Sequence, residues 1–513
     1  MTDYQANNKK IAKNTAFLYV RMFFVLFVNL YISRILLDAF GVTDYGVYVV
    51  ITGFVTFFSF LNATLASTMQ RYYNYSGTKH AAQGIQDVFS TGCYIHGIIA
   101  LIALFLLETV GVWYMNHYIV IPGNRFGAGS FLFQASSVSL LFIIIQIPFV
   151  GLIIAKERMG FYALVSMADI SLKLIASLLV KHLPYDNIKA YATMLLIVSL
   201  TDFILYAGYV IKNNPSLHLS RHINKELTRS LTSFAGWNLI GTFAFMLKGQ
   251  GVSLLLNNFF GPIVNAARGI AMQVSSAISG FSGNITIAFT PQIVNSIAAD
   301  DNARAKNMMF NESRICYTLI MLLTVPLCLE IDYILKIWLS INIPVNTNIF
   351  TILMLIDTTI CTLNTPCTQI TQATGKIRQY QIASTIVNLG LIPVCYVFLK
   401  LGFSATSSFV ITIVFSIINQ TVCLYSTNLV FKFHLSDYMR SVVLPCLTCT
   451  IVLPILPLLV KHMMNPSFLR LVLTTATDIA VGLALFYFLL LKRNERKVLR
   501  EYIAKKVNLR NTV

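Results

Sequence analysis

Five cations stand inside apolar stretches of this chain: Arg21, Arg34, Lys173, Lys248 and Arg268. An ionisable side chain within a membrane-spanning helix is expensive unless it meets water, a partner or a ligand, so each is a functional candidate. Cations around a wet cavity in a low-dielectric slab attract polyanions, and the arginine fork suits two-point recognition of phosphate. The chemistry on offer is therefore capture of an anion rather than bond making. Lys173 stands four residues after Asp169, the spacing of a neutralised pair on one helical face. Arg21, Lys248 and Arg268 have no carboxylate on their own turns, which favours a cavity role. Arg34 reads equally as a group that snorkels to the interface.

Among the acids, Asp202, Asp357 and Asp478 also lie within apolar spans. Asp357, followed by Thr358 and Thr359, reads as the carrier of a coupling proton or sodium ion, or as the partner of one of the cations. Glu330 and Asp332, near a span end, read as exposed to the outer aqueous phase. No span carries the histidine pair with an intervening glutamate of a metalloprotease, and no nucleophile with its base is visible, so no catalytic residue is expected. Cys446 and Cys449 have CxxC spacing but sit in an apolar helix without histidine, so no metal site is expected either. His218 and His222, one turn apart, read as solvated interfacial groups.

These residues must be positioned by helices. The chain has 513 residues, 56% hydrophobic and only 11% charged, with a mean hydropathy of +0.70, whereas soluble domains carry charge on about a quarter of residues. Apolar runs long enough to cross a bilayer, about 20 residues each, recur about 14 times. They fall near 15–37, 46–66, 88–108, 130–154, 160–180, 190–211, 232–256, 262–288, 313–331, 347–369, 380–399, 404–430, 440–460 and 469–491. The fold class is all-α and polytopic, since the period-two alternation of a barrel is absent. The nine cysteines all fall in apolar segments, which argues against a disulfide framework. The first span is too long, and too interrupted by Arg21 and Arg34, to be a cleaved signal.

Lysine and arginine concentrate in alternate connections, including Lys9, Lys10, Lys13, Arg71, Lys79, Arg221, Lys225, Arg304, Lys306 and the tail from Lys492 to Arg510. Cationic loops resist translocation, so both termini are expected in the cytoplasm. Much of the +18 net charge is thereby a topology signal, and nucleic acid is not implied as a partner.

A faint duplication runs through the chain. Pro148, Ala155, Arg158 and Tyr162 have the spacing of Pro366, Ala373, Lys376 and Tyr380. At nearly the same offset LLDAFGVTDYGVY resembles LNNFFGPIVNAARG, with Gly41 falling on Gly261. Two similar bundles of about six spans are then expected, related by an axis along the membrane normal. The N-lobe covers 1–220 and the C-lobe 221–435, with two appended helices and the basic tail in 436–513. Pro148 and Pro366 would be hinges, since proline removes a helical hydrogen bond and permits a bend.

The stretches GVTDYGVY from Gly41, SFAGWNLIG from Ser233, GPIVNAARGIA from Gly261, PQIVNS from Pro291 and IWL from Ile337 resemble one family. It is that of the polysaccharide and O-antigen flippases, within the multidrug, oligosaccharidyl-lipid and polysaccharide exporter superfamily. The resemblance implies 12 to 14 helices in two six-helix lobes around a cavity. It implies a non-enzymatic function in the bacterial inner membrane: moving undecaprenyl-pyrophosphate-linked oligosaccharide, such as an O-antigen unit of lipopolysaccharide, between leaflets without hydrolysing ATP. It further implies Arg21 and Arg268, and less directly Arg34, as groups facing the pyrophosphate; Lys248 joins them by position alone. No cofactor is implied beyond a coupling proton or sodium ion. Partners would be the polyprenyl-pyrophosphate-linked glycan, the bilayer and other membrane proteins of polysaccharide assembly. Two alternatives stay open: a drug or metabolite exporter of the same superfamily, and a polyprenyl-phosphate-using glycosyltransferase, polymerase or ligase with Asp38 and Asp44 as acids.

Overall fold

The computed structural model describes residues 3–59, 65–66, 69–70, 72–73, 81–156, 158–215, 217–220, 225–339, 342–490 and 496. Arg71, Lys79, Arg221, His222 and the basic tail from Lys492, apart from Arg496, lie outside them, as do the side chains of Lys9, Lys10, Lys13 and of residues 229–241. The chain is all-helical, with no strand among the described residues. Eleven helices among those residues are long and apolar enough to cross a membrane. The first of these, Val20–Thr56, joins two expected spans into one. Helix α1 (Asp3–Thr56) is interrupted only at Gly41, with φ of 71°. A single left-handed residue makes the corner because glycine alone adopts that conformation without a Cβ penalty.

The next helices are α2 (Ala81–Leu106), α3 (Phe126–Ile145), α4 (Ile147–Ala155), α5 (Met159–Leu179) and α6 (Asn187–Asn213). Two long helices follow, α7 (Lys225–Phe260) and α8 (Pro262–Ala298). Between them Gly261 has φ of 76°, the same corner as Gly41. Both are absent from the eleven apolar helices. Their interiors carry Lys248, Gln250, Ser253, Asn257, Asn265 and Arg268, which lowers their hydropathy although length is ample.

Beyond come α9 (Asn302–Leu329), α10 (Ile331–Leu339), α11 (Thr347–Cys361), α12 (Thr365–Thr374), α13 (Arg378–Lys400) and α14 (Ala405–Val430). The last group is α15 (Leu444–Val452), α16 (Ile455–Met463) and α17 (Phe468–Leu485).

The two hinge prolines hold matching places. Pro148 opens α4 one turn after α3 ends, and Pro366 opens α12 just after α11 ends. Proline suits the first turn of a helix because its missing N–H has no bond to make there. Each proline thus stands at a break in the helix within its span. Tyr73 donates to the Pro148 carbonyl at 3.1 Å, and Tyr380 donates to Asn364 Oδ1 at 2.7 Å, beside the second restart.

By contact the chain resolves into two units. One comprises Met1–Ile270, Ile341–Thr347 and Asn388–Ser408; the other Ala271–Ser340, Asn348–Val387 and Phe409–Val513. In the first, α1 lies along α5 and α3 along α6, around a core that includes Leu36, Leu37, Ile51, Phe133 and Tyr191. A close approach at Gly46 joins its helices: a Cβ there would lie 1.9 Å from the Pro262 carbonyl oxygen. One Cβ at Gly269 would likewise meet the Val49 side chain at 2.7 Å. GVTDYGVY and GPIVNAARGIA, picked out separately in the sequence, therefore touch.

In the second unit Met309, Phe310, Tyr317, Cys367, Tyr380, Cys423 and Tyr438 belong to one core. The final helices pack onto α9: Tyr317 pairs with Thr450 at 2.7 Å, and a Cβ at Gly482 would strike Leu322. Many large apolar side chains, Leu101, Phe105, Ile386 and Ile451 among them, remain exposed, as lipid-facing surface requires. The chain is a multi-pass membrane protein.

Candidate functional site

The first unit holds the cations. Arg21 projects from α1 toward α5, its guanidinium carbon 4.9 Å above the Tyr162 ring. Its Nε is buried and has no hydrogen-bond partner among the described residues. A cation over an aromatic face is held without losing its charge, so the fork stays available to an anion.

Arg268 is only 5% exposed. Its Nε donates to Ser253 Oγ at 2.8 Å and a terminal nitrogen to the Gly249 carbonyl at 2.9 Å. Both these partners are neutral. Because Gly249 adjoins Lys248, the structure brings these two predicted cations to one level of the α7–α8 pair. Lys248 is half-buried, and Arg34 is exposed.

The remaining cation behaves as its spacing indicates: Lys173 lies 2.8 Å from Asp169. The sequence does not disclose that Asp202, on α6, faces the same Asp169. Two carboxyls and one lysine are thus gathered between α5 and α6, and one Asp202 oxygen is buried without a hydrogen-bond partner among the described residues.

The connections that hold Asp44, Arg125 and Asp186 are tied by ion pairs. Arg125 lies 2.5 Å from Asp44 and 2.5 Å from Asp186, and Asp186 also caps α6 by accepting from the backbone of Ile188 and Lys189. Burial alone would raise the Asp186 carboxyl, but the Arg125 bond and the helix N–H groups hold it below the ordinary range. Asp38 pairs with Lys181. Asn257 reaches the same side, accepting from the Val120 N–H at 2.7 Å and donating to its carbonyl at 3.2 Å.

In the second unit Asp357 accepts from the Ser416 hydroxyl, and its neighbour Thr358 pairs with Ser275 at 2.6 Å. Glu330 corrects the sequence reading. It is 1% exposed and lies 2.6 Å from Arg470, itself 7% exposed. The apparent span end is roofed by α17, whose Arg470 the acid needs as a counter-charge. Replacing Arg470 with methionine should strand that carboxylate and cost about 3–5 kcal/mol, whereas the double change with Glu330→Gln should recover most of it. Thermal melting of the purified variants measures both.

Sequence reasoning also missed Glu312, which it left in a cytoplasmic connection because the span was begun one residue later. It lies 0% exposed inside the second unit. The available signal was helical spacing: Met309, Ser313, Cys316 and Tyr317 recur on the face that Glu312 shares. A cavity of about 580 Å³ in this unit is lined by Asn302, Lys306, Asn428, Lys432 and His434 among others, and none of the predicted site residues borders it. The nine cysteines are free, and no group of three or more potential metal ligands occurs among the described residues.

No family model and no curated protein matches the sequence. Solved structures do match. The chain resembles the lipid II flippase MurJ in an inward closed conformation with a TM-score of 0.71 at 14% identity, over 91% of this chain and 98% of that one. It resembles the eukaryotic MATE transporter AtDTX14 with a TM-score of 0.61 at 14% identity, over 85% and 98%. An inward-facing multidrug resistance MATE transporter of the MOP superfamily follows at 0.58 and 10% identity, over 81% and 95%. All three are transporters or flippases rather than enzymes.

Proposed function

We propose, taking as premise that this chain has the fold of the multidrug, oligosaccharidyl-lipid and polysaccharide exporter superfamily, that it flips a polyprenyl-pyrophosphate-linked oligosaccharide. The direction is from the inner to the outer leaflet of a bacterial inner membrane, with both termini cytoplasmic. The observation that carries the reading is the match to a lipid II flippase, which takes in almost the whole length of both chains. Arg21 supports it locally, as a half-buried guanidinium over Tyr162 whose Nε has no partner among the described residues.

In the mechanism, the substrate's pyrophosphate is received by Arg21, with Arg268, Lys248 and Arg34 as further cations on its route. The sugars occupy water and the prenyl tail stays in lipid, so the head group never crosses hydrocarbon unaccompanied. The helix restarts at Pro148 and Pro366 supply the points about which segments turn as access alternates between faces. Asp357, held by Ser416, is the group through which a proton or sodium ion couples to that movement. O-antigen, capsule and exopolysaccharide units all present this pyrophosphate.

Vesicles containing the purified protein and a fluorescent undecaprenyl-pyrophosphate sugar test the reading. Dithionite should quench both leaflets in the presence of protein and only the outer one in its absence; equal protection in both would refute it. A drug exporter of the same fold would instead move organic cations in the same vesicles. A glycosyltransferase would change the sugar chain, but Asp38 and Asp44, the acids it would use, are engaged by Lys181 and Arg125.

A further inference from the structure

Two spans of the second unit end at one place. α9 begins there at Asn302 and α14 stops there at Val430, so the cavity of about 580 Å³ that both line sits at the depth of lipid headgroups. The chain past α14 shapes one side of it. From Phe431 to His434 burial alternates: Phe431 is 6% and Phe433 9% exposed, whereas Lys432 and His434 are open. Alternate side chains of an extended segment share a face. The Phe433 ring lies edge-to-face with Phe310 at 6.0 Å, and Lys432 and His434 are left toward the cavity. The Phe433 N–H donates to Asn428 Oδ1 at 2.9 Å, which fixes that amide and leaves its NH2 group as a donor beside the cavity.

Lys306 enters from α9. Its ion pair with Asp437 spans 3.5 Å, longer than an ordinary N–H···O bond, so the ammonium keeps donors to spare. Lys432 has no ion pair or hydrogen bond among the described residues. None of the described residues that line the cavity is acidic. Asp301, just before α9, is occupied as its N-cap, accepting from the Arg304 N–H at 3.0 Å. Topology alone asks only that lysines stand in a connection; here two of them, an imidazole and an amide converge from two helices and a loop on one concave volume.

A cationic cavity without a carboxylate suits a phosphate. This one is larger than a bare ion fills and lies within the size of organic ligand sites, roughly 300–1,000 Å³. One wall decides the source of the phosphate. Leu429, which lines the cavity, is 52% exposed and ends a strip of open side chains on α14 that includes Val414, Ile418 and Tyr425. Their spacing is that of a single helical face. The cavity therefore opens onto acyl chains as well as onto water.

We propose that this cavity binds the headgroup phosphodiester of an anionic phospholipid from the surrounding bilayer. The Lys306 and Lys432 ammonium groups meet its charge, the Asn428 NH2 and the His434 ring donate to its oxygens, and an acyl chain lies along Leu429 and Tyr425. A lipid held there joins the start of α9 to the end of α14 and stabilises the second unit. The site shares no residue with the cations of the first unit. It requires that the chain sit in a bilayer and does not depend on the flippase reading.

Native mass spectrometry and thermal melting of the detergent-purified protein, titrated in turn with phosphatidylglycerol, phosphatidylcholine and glycerol phosphate, test the site. Phosphatidylglycerol should be retained as a one-to-one adduct and raise the melting temperature. Lys306→Gln combined with Lys432→Gln should weaken its binding about tenfold or more. Lys376→Gln, the same loss of charge at an exposed residue that does not line the cavity, should leave it unchanged. Equal weakening by Lys432→Gln and Lys376→Gln, or phosphatidylcholine bound as tightly as phosphatidylglycerol, overturns the site. Glycerol phosphate stabilising the protein as far as the lipid does overturns the lipid and assigns the cavity to a soluble phosphate. If the double variant does not fold, Lys432→Gln, whose side chain has no partner to lose among the described residues, decides alone.

Discussion

Replacing Arg21 with alanine is expected to slow transport of a pyrophosphate-linked sugar about tenfold to a hundredfold, the equivalent of about 1.5–3 kcal/mol for a hydrogen bond to a charged group. The protein should remain in the membrane, because this guanidinium rests on Tyr162 and leaves its Nε unused; its removal strands no acid on its own turn. Lysine at the same position keeps the charge but loses the two-point fork, so an intermediate rate is expected. Rates in vesicles, normalised to reconstituted protein, measure both. A rate for Arg21→Ala equal to the wild type would remove the pyrophosphate from this position. The same variant should be silent toward a neutral lipid if one is carried at all.

The second large effect is structural. Alanine at Gly46 places a methyl 1.9 Å from the carbonyl oxygen of Pro262 and 2.5 Å from its carbon. In an open helix the change would help, since alanine exceeds glycine by about 1 kcal/mol in helix propensity. Here the obstacle is backbone at a helix start and cannot rotate aside. Overpacking is expected to prevail at about 3 kcal/mol or more. Gly97, inside α2 with nothing within 4 Å of a built Cβ, is the control: Gly97→Ala should be neutral or slightly stabilising. Thermal melting in detergent, read by size-exclusion of the remaining monodisperse protein, separates the two. Equal melting of both variants would mean that the helices at Gly46 part without penalty.

Much of the architecture was legible because a bilayer demands continuous apolar length and tolerates few alternatives. What escaped was local. The connection expected between 37 and 46 is one residue of left-handed backbone, since glycine lets a helix turn without leaving its hydrogen-bond pattern for long. α7 and α8 score as poor spans because their polar side chains are satisfied within the first unit: Asn257 by Val120, Arg268 by Ser253 and Gly249. Glu330 was misjudged because hydropathy along a sequence ranks each segment against water or lipid, and it has no access to a neighbour such as Arg470, 140 residues away. The cations were easier, since any charge in an apolar run stands out. Which of them share a level was not: Arg268 reaches the carbonyl of Gly249, the residue after Lys248, through a bond that no pattern announces.

The paired corners at Gly41 and Gly261, with φ of 71° and 76°, bear on how any two stretches of membrane helix would drift apart in sequence. Outward-facing leucine, isoleucine and phenylalanine are interchangeable in hydrocarbon, so most positions of two tandem copies can diverge until their common origin is unreadable. A corner that only a residue without a side chain can turn has no such freedom. Any kinship between two such stretches should thus survive as isolated punctuation marks rather than as continuous likeness.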